Sequence, residues 1–246
     1  MVKAQLKRIF RSPLPRAKSP RAIQVRMRLI DRMSGLFCPT SLTELGSGWD
    51  ACSAICWYKK GVKEQHLVDI KPNLRVREVN AVLGYFGIQA ISAISDLEQF
   101  GIHYHAPATL EDVPETQVTV SNSVLEHIPE GDLPTIVGSS EHAIHNIDYK
   151  DHYSNFDRSI TPYNFLRYSS RSWKLFNPAA HYQNRLRHSD YVRLFESLGY
   201  SIECEVRQPE NAAQLLKTVP INEEVLARYS FEELLPTGAL FHLRRS

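Results

Sequence analysis

The 246-residue sequence contains no run of about 18 uncharged apolar residues, the length a membrane-crossing helix needs. No basic, apolar and small-residue series marks a secretory signal either. Cysteine is scarce: Cys38, Cys52, Cys56 and Cys204 are too few for a disulfide scaffold, and none forms the C-x-x-C pair of a structural zinc site. These absences lead to the expectation of a soluble, cytoplasmic protein in a reducing compartment. A G-x-x-x-x-G-K phosphate loop and a G-x-S-x-G nucleophile elbow are also missing, which removes kinase-like and elbow-type hydrolase chemistry. There is no internal repeat and no low-complexity segment. With 43% hydrophobic and 23% charged residues, the chain has the balance of an ordinary globular protein.

Acidic residues are absent from the first 30 positions, which hold nine bases; the rest of the chain carries 20 bases against 27 acids. The segment is broken by Pro13, Pro15 and Pro20. As a solvated tail it would dock on the acidic body; as a peripheral anchor it would touch an anionic membrane surface. An acid-free, Arg-rich presequence has the same composition. Nucleic acid ranks last, because Phe10 is the arm's single aromatic residue for base stacking.

Periodicity divides the chain into a basic arm and helix over 1–35 and an α/β domain over 36–246. Apolar residues at mixed three- and four-residue steps predict a helix over 22–35. A strand over 41–45 runs through a glycine loop into a helix over 51–60. The next strand spans 65–70, and Pro72 then starts a helix that ends at Gly84. Further strands are expected at 101–105, 117–120, 143–148, 201–206 and 239–243. Alternation of this kind predicts a doubly wound, mainly parallel sheet of seven strands covered by helices on both faces. The pattern is interrupted at about 150–195 by an inserted cap, whose residues 151–195 hold ten of the 24 aromatic residues, with seven bases against three acids.

The chemistry concentrates in Thr43-Glu44-Leu45-Gly46-Ser47-Gly48-Trp49-Asp50-Ala51. Glycines between a strand and a helix allow a ligand close to the backbone and to the positive helix start. Asp69, at the end of the next strand, is placed to accept hydrogen bonds from both hydroxyls of a ribose. Together they predict an adenosine-containing ligand at the switch point of the sheet. Gly46-x-Gly48-x-x-Ala51 also satisfies the dinucleotide fingerprint, so a nicotinamide or flavin enzyme is one solution.

The other solution is a resemblance. Glu44-Leu45-Gly46-Ser47-Gly48, Asp69, and Ser121-Asn122-Ser123-Val124-Leu125-Glu126-His127-Ile128-Pro129 resemble the successive motifs of class I S-adenosylmethionine-dependent methyltransferases, nearest to a small-substrate, type 11-like subgroup. The resemblance implies a Rossmann-like fold, S-adenosylmethionine as cofactor, and methyl transfer. It implies that Glu44, Gly46, Ser47 and Gly48 hold the methionine part, Asp69 the ribose and Ile70 the adenine, while Ser121 and Asn122 line the pocket below the sulfonium. Asp50 departs from the pattern, standing where many members have a third glycine. An acid before the loop suits the ammonium of methionine and repels a pyrophosphate, which favours the methyltransferase over an NAD-type oxidoreductase. A non-catalytic binding module that retains the fold is the remaining alternative.

Methyl transfer to a hydroxyl, or next to an amine, is helped by a positioned base. His152 is the first candidate, with Asp151 orienting it or contacting substrate, and His127 the second, although a structural histidine at a helix start is the favoured reading of His127. Within the cap, Tyr163, Arg167, Tyr168 and Arg185 are candidates for binding a small-molecule or glycan-like, anionic acceptor. The alternative is a cap whose aromatics form a satellite core and whose arginines pair with the acidic body. Glu141, His142, His145, Asp148 and His152 mix helical and strand spacing and supply no recognised ligand set, so no metal is expected.

Overall fold

A computed structural model describes residues 19–137 and 140–245. Residues 1–18, with six of the nine bases of the arm, lie outside the described residues. By contact the chain forms two compact units, the first ending at Thr116 and the second starting at Gln117.

The first unit begins with α1 (Pro20–Leu36), where Ser19 caps the start by accepting from the Ala22 amide and proline occupies the first turn. Ile23, Ile30 and Met33 form its buried stripe. There follow β1 (Ser41–Leu45), α2 (Cys52–Lys59), β2 (Glu64–Val68), α3 (Val76–Tyr85) and β3 (Ile102–His105). β1 runs parallel to β2, with Ser41 opposite Glu64, and β2 runs parallel to β3, with Gln65 opposite Ile102. The last four residues of β1 and of β2 are buried in succession, the pattern of strands covered on both faces. The helix expected from Pro72 starts only at Val76. Residues 71–74 instead form a turn held by the Tyr104 hydroxyl, which accepts from the Asn73 amide at 2.8 Å and donates to the Lys71 carbonyl at 3.3 Å.

The second unit contains β4 (Val118–Asn122), α4 (Leu133–Val137), β5 (His142–Asp148), α5 (Ser170–Phe176), α6 (His188–Ser197), β6 (Tyr200–Arg207), α7 (Ala212–Lys217), α8 (Glu223–Arg228), α9 (Phe231–Leu234) and β7 (Gly238–Arg245). β4 and β5 are parallel, and β7 runs antiparallel to both β5 and β6. The strands of the first unit lie in the order β3-β2-β1, and those of the second unit form a mixed set in the order β4-β5-β7-β6. The edge strand β6 carries exposed Glu203 and Glu205, charges that discourage pairing with another chain.

One core of the second unit packs Ala143 and Ile147 of β5 against Tyr191 and Phe195 of α6 and Phe241 and Leu243 of β7. A separate core joins Tyr163, Phe165 and Trp173 of the cap to Leu216, Val225 and Leu234 of α7, α8 and α9. That core therefore draws on two stretches of chain, 153–176 and 212–235. Arg187 is fully buried between them: its guanidinium donates to the carbonyls of Tyr149, Leu234 and Pro236.

Candidate functional site

In the first unit the β1–α2 loop and the end of β2 are locked together. Gly46 and Gly48 adopt φ of 71° and 70°, and Ala51 follows at 49°. A side chain at Gly48 would meet open space, so its backbone angle rather than crowding calls for glycine. Asp50 Oδ1 accepts from the Cys52 amide at 3.0 Å, an Asx turn that starts α2. Asp50, which stands where the resemblance calls for glycine, thus satisfies the first amide of α2, while Ala51 occupies the N-cap itself.

Asp69 Oδ2 accepts from both the Ser47 amide, at 3.1 Å, and the Ser47 hydroxyl, at 2.6 Å. Its Oδ1 meets only Asn73 Nδ2, at 3.5 Å. Desolvation raises the Asp69 pKa, and the bonds from Ser47 oppose that rise. One oxygen therefore fixes the loop while the other is nearly unengaged. Glu44 is buried on β1 two residues before Gly46, and Ile70 is exposed just beyond Asp69. Asn73 and Tyr104, which shape the rim beside Asp69, have no periodic or motif signal in the sequence.

In the second unit Ser121 and Asn122 end β4. Ser121 Oγ is 2.8 Å from Nδ1 of the fully buried His145, and Asn122 Oδ1 accepts from Asn146 Nδ2 at 2.6 Å. Beyond them a 3-10 turn, Leu125–His127, brings Glu126 and His127 beside His152, the first residue of a second such turn. The His127 and His152 rings lie 4.9 Å apart.

His127 is exposed, and its Nδ1 lies 2.6 Å from the Tyr182 carbonyl. That carbonyl can only accept, so Nδ1 carries a proton and Nε2 is the nitrogen aimed away from it. His152 turns its Nε2 inward, 3.9 Å from Glu126 Oε1 and 4.0 Å from Asp148 Oδ2. Burial and the neighbouring His127 hold its imidazole neutral, down to about 4. Glu126 is buried, and desolvation raises its pKa well above the carboxylate range. The sequence places Glu126 inside the Leu125-Glu126-His127-Ile128 turn, but nothing in its spacing marks it as facing His152.

Asp151 does not orient the His152 ring. Its buried carboxylate accepts from the Tyr153 amide at 2.8 Å and from Asn164 Nδ2 at 3.1 Å, capping the turn and tying it to the cap. Adjacent side chains diverge here because Asp151 stands at the N-cap of the turn that His152 begins.

Among the acceptor candidates, Tyr163 is buried, with its hydroxyl donating to the Leu235 carbonyl at 2.6 Å. Arg185 braces the cap, donating to the carbonyls of Phe165 and Tyr168 and stacking over Trp173. Tyr168 stacks on Trp173 as well. Arg167 alone of the four is exposed. These contacts make the aromatic segment a satellite core, as the alternative reading had it, but Arg185 is satisfied by carbonyls of that same segment rather than by acids of the body.

Neither a protein-family model nor a curated protein sequence matches the chain. The fold, however, is that of solved methyltransferases. Geranyl diphosphate C-methyltransferase from Streptomyces coelicolor A3(2) superposes with a TM-score of 0.55 at 12% identity, over 92% of this chain and 80% of that one. Magnesium protoporphyrin IX methyltransferase from Synechocystis PCC 6803, with bound S-adenosylhomocysteine, gives 0.53 at 10% identity, over 100% and 94%.

Proposed function

We propose that this chain is an S-adenosylmethionine-dependent methyltransferase acting on a hydroxyl, or an amine, of a small or glycan-like anionic acceptor. The observation that carries this reading is the Asp69–Ser47 lock: a carboxylate that holds a left-handed glycine loop with one oxygen and presents the other for a ribose hydroxyl. The chain's residues fit the cofactor's parts. Glu44 supplies negative charge at the end of β1, suited to the methionine ammonium and adverse to a pyrophosphate. Gly46 and Gly48 let the backbone approach, and Ile70 offers an apolar surface for adenine. In the second unit Asn122, half-buried at the end of β4, is the candidate for the cofactor, whereas Ser121 is fully buried with its Oγ beside His145 Nδ1. Structural neighbours solved with S-adenosylhomocysteine support the same ligand class.

When bound, the cofactor supplies a methyl group on a sulfonium already activated for displacement. The protein's share is then to align the acceptor and receive its proton. His127 is suited to receive that proton, because its ring is exposed and the Tyr182 carbonyl holds Nδ1, which leaves Nε2 as the nitrogen that faces an acceptor. His152, the other candidate, has Nε2 turned inward. Of the four acceptor candidates, exposed Arg167 is the one suited to an anionic group.

The test is calorimetric titration with S-adenosylhomocysteine, with NAD as control. Micromolar binding of S-adenosylhomocysteine alone, about -8 kcal/mol, supports the reading. Selective NAD binding would make the chain an oxidoreductase, and no binding by either ligand would leave a module that retains the fold without its chemistry. Asp69→Ala should abolish the heat of binding.

A further inference from the structure

In the second unit, Glu126, His127 and His152 each direct a ligand atom into one space, with these atoms within 4.8 Å of one another. Carboxylate and imidazole atoms arranged tetrahedrally around zinc lie about 3.4 Å apart, given bonds of roughly 2.0–2.1 Å. Small side-chain rotations would close the set.

The Glu126 carboxylate is the unusual member. Its residue is 2% exposed, and neither oxygen meets a hydrogen-bond donor in bonding geometry, although the backbone amides of Glu126 and Asp148 lie near. Leaving a carboxylate buried without a donor costs several kcal/mol unless a proton or a cation neutralises it. Facing it are His152, whose Nε2 is itself buried and lacks a hydrogen-bond partner, and, as a longer-range charge, Arg207. Two orphaned polar groups thus face each other across a gap, and neither satisfies the other at 3.9 Å.

The third ligand is already prepared for a cation. His127 donates from Nδ1 to the Tyr182 carbonyl, the outer contact that fixes a metal-binding histidine in its tautomer and aims Nε2 at the ion. Asp148 adds a carboxylate 4.0 Å from His152 Nε2, but it also pairs with Lys150 Nζ at 3.2 Å, so it belongs to the surroundings of the set.

We propose that Glu126, His127 and His152 form a binding site for one first-row divalent cation, held by two imidazoles and one carboxylate. Such a donor set favours zinc, cobalt, iron or manganese over magnesium and calcium, which prefer oxygen ligands throughout. Three protein ligands leave at least one position open, and exposed His127 marks the side from which water or an acceptor oxygen enters. The site stands independently of the adenosyl ligand. With the ion bound, the His127 lone pair is committed, and a coordinated hydroxyl is acidified by the ion and releases its proton to water. Without the ion, His127 remains the base.

The experiment uses the full chain, stripped with chelator and desalted, and titrated with CoCl2 by visible absorption and with ZnCl2 by calorimetry and thermal shift. The expected result is one ion per chain, cobalt bands of a nitrogen and oxygen site, and a rise in thermal midpoint with zinc. Glu126→Gln, which keeps the shape of the side chain and removes its charge, and His152→Ala should each weaken zinc binding at least tenfold. Asp69→Ala should leave zinc binding unchanged, so failure of the cofactor reading remains distinguishable. Absence of cobalt bands, or zinc affinity unaltered by Glu126→Gln, overturns the proposal and leaves Glu126 as a protonated structural acid.

Discussion

At the scale of single residues, Asp69 and Arg187 show how burial is used in opposite ways. Asp69 is desolvated and holds its proton more tightly than the ordinary value of 3.8. In that case the native state binds more protons than the unfolded chain above this value, so the wild type loses stability as pH rises through the raised native pKa. Asp69→Asn should therefore keep or raise the thermal midpoint at pH 7. It should also weaken S-adenosylhomocysteine by roughly one to two orders of magnitude, matching the about 1.5–3 kcal/mol of a hydrogen bond to a charged group. Differential scanning fluorimetry and calorimetry on one sample would separate the two effects; a parallel loss of stability and affinity would reject a ligand role. Arg187 is a structural cation, satisfied by three carbonyls and lying over the Tyr149 and Phe165 rings. Arg187→Met should cost about 3–5 kcal/mol in urea denaturation, because three buried carbonyls lose their donor.

At the scale of elements, the cap and the α7–α9 segment stand or fall together. Trp173 is the hinge of their common core, stacking with Tyr168, meeting Phe165 edge to face and donating from Nε1 to the Gln183 carbonyl. Trp173→Ala should cost about 3–5 kcal/mol. Hydrogen exchange should then speed up in both 164–176 and 212–234, and loss confined to the first stretch would show that the two fold separately. The sequence marks 151–195 by its aromatics but not its partner, because aromatic density says nothing about what covers it. A signal for the partner was present: Ser230 and Glu233 form a capping box three residues apart, which starts α9.

At the scale of the whole molecule, buried histidines set the acid limit of the fold. His145 lies fully inside the second unit, and desolvation pushes its imidazole from 6.5 down to about 3. Between these values the unfolded chain takes up a proton that the native state refuses, so stability falls as pH drops below 6.5. The slope from this group approaches about 1.4 kcal/mol per pH unit. Urea midpoints measured from pH 7.5 to 4.5 should fall accordingly, and His145→Gln should flatten that limb; an unchanged slope would assign the acid sensitivity elsewhere.

The alternation of strands and helices, the glycine loop and the Asp69 position were legible in the sequence alone. Each depends on neighbours in the chain: periodicity follows burial on two faces of a sheet, and Gly46 and Gly48 mark left-handed backbone wherever they stand. What only the tertiary structure decided was the pairing of side chains far apart in sequence. Asp151 and His152 are adjacent yet point to different partners, whereas Glu126 meets His152 across 26 positions because β4 and β5 are parallel neighbours whose ends lie side by side. Arg185 and Tyr163 likewise carry the composition of a binding surface, but the core they enter has satisfied them already. Residue type sets what a group can do, and packing against distant chain sets whether it remains available to do it.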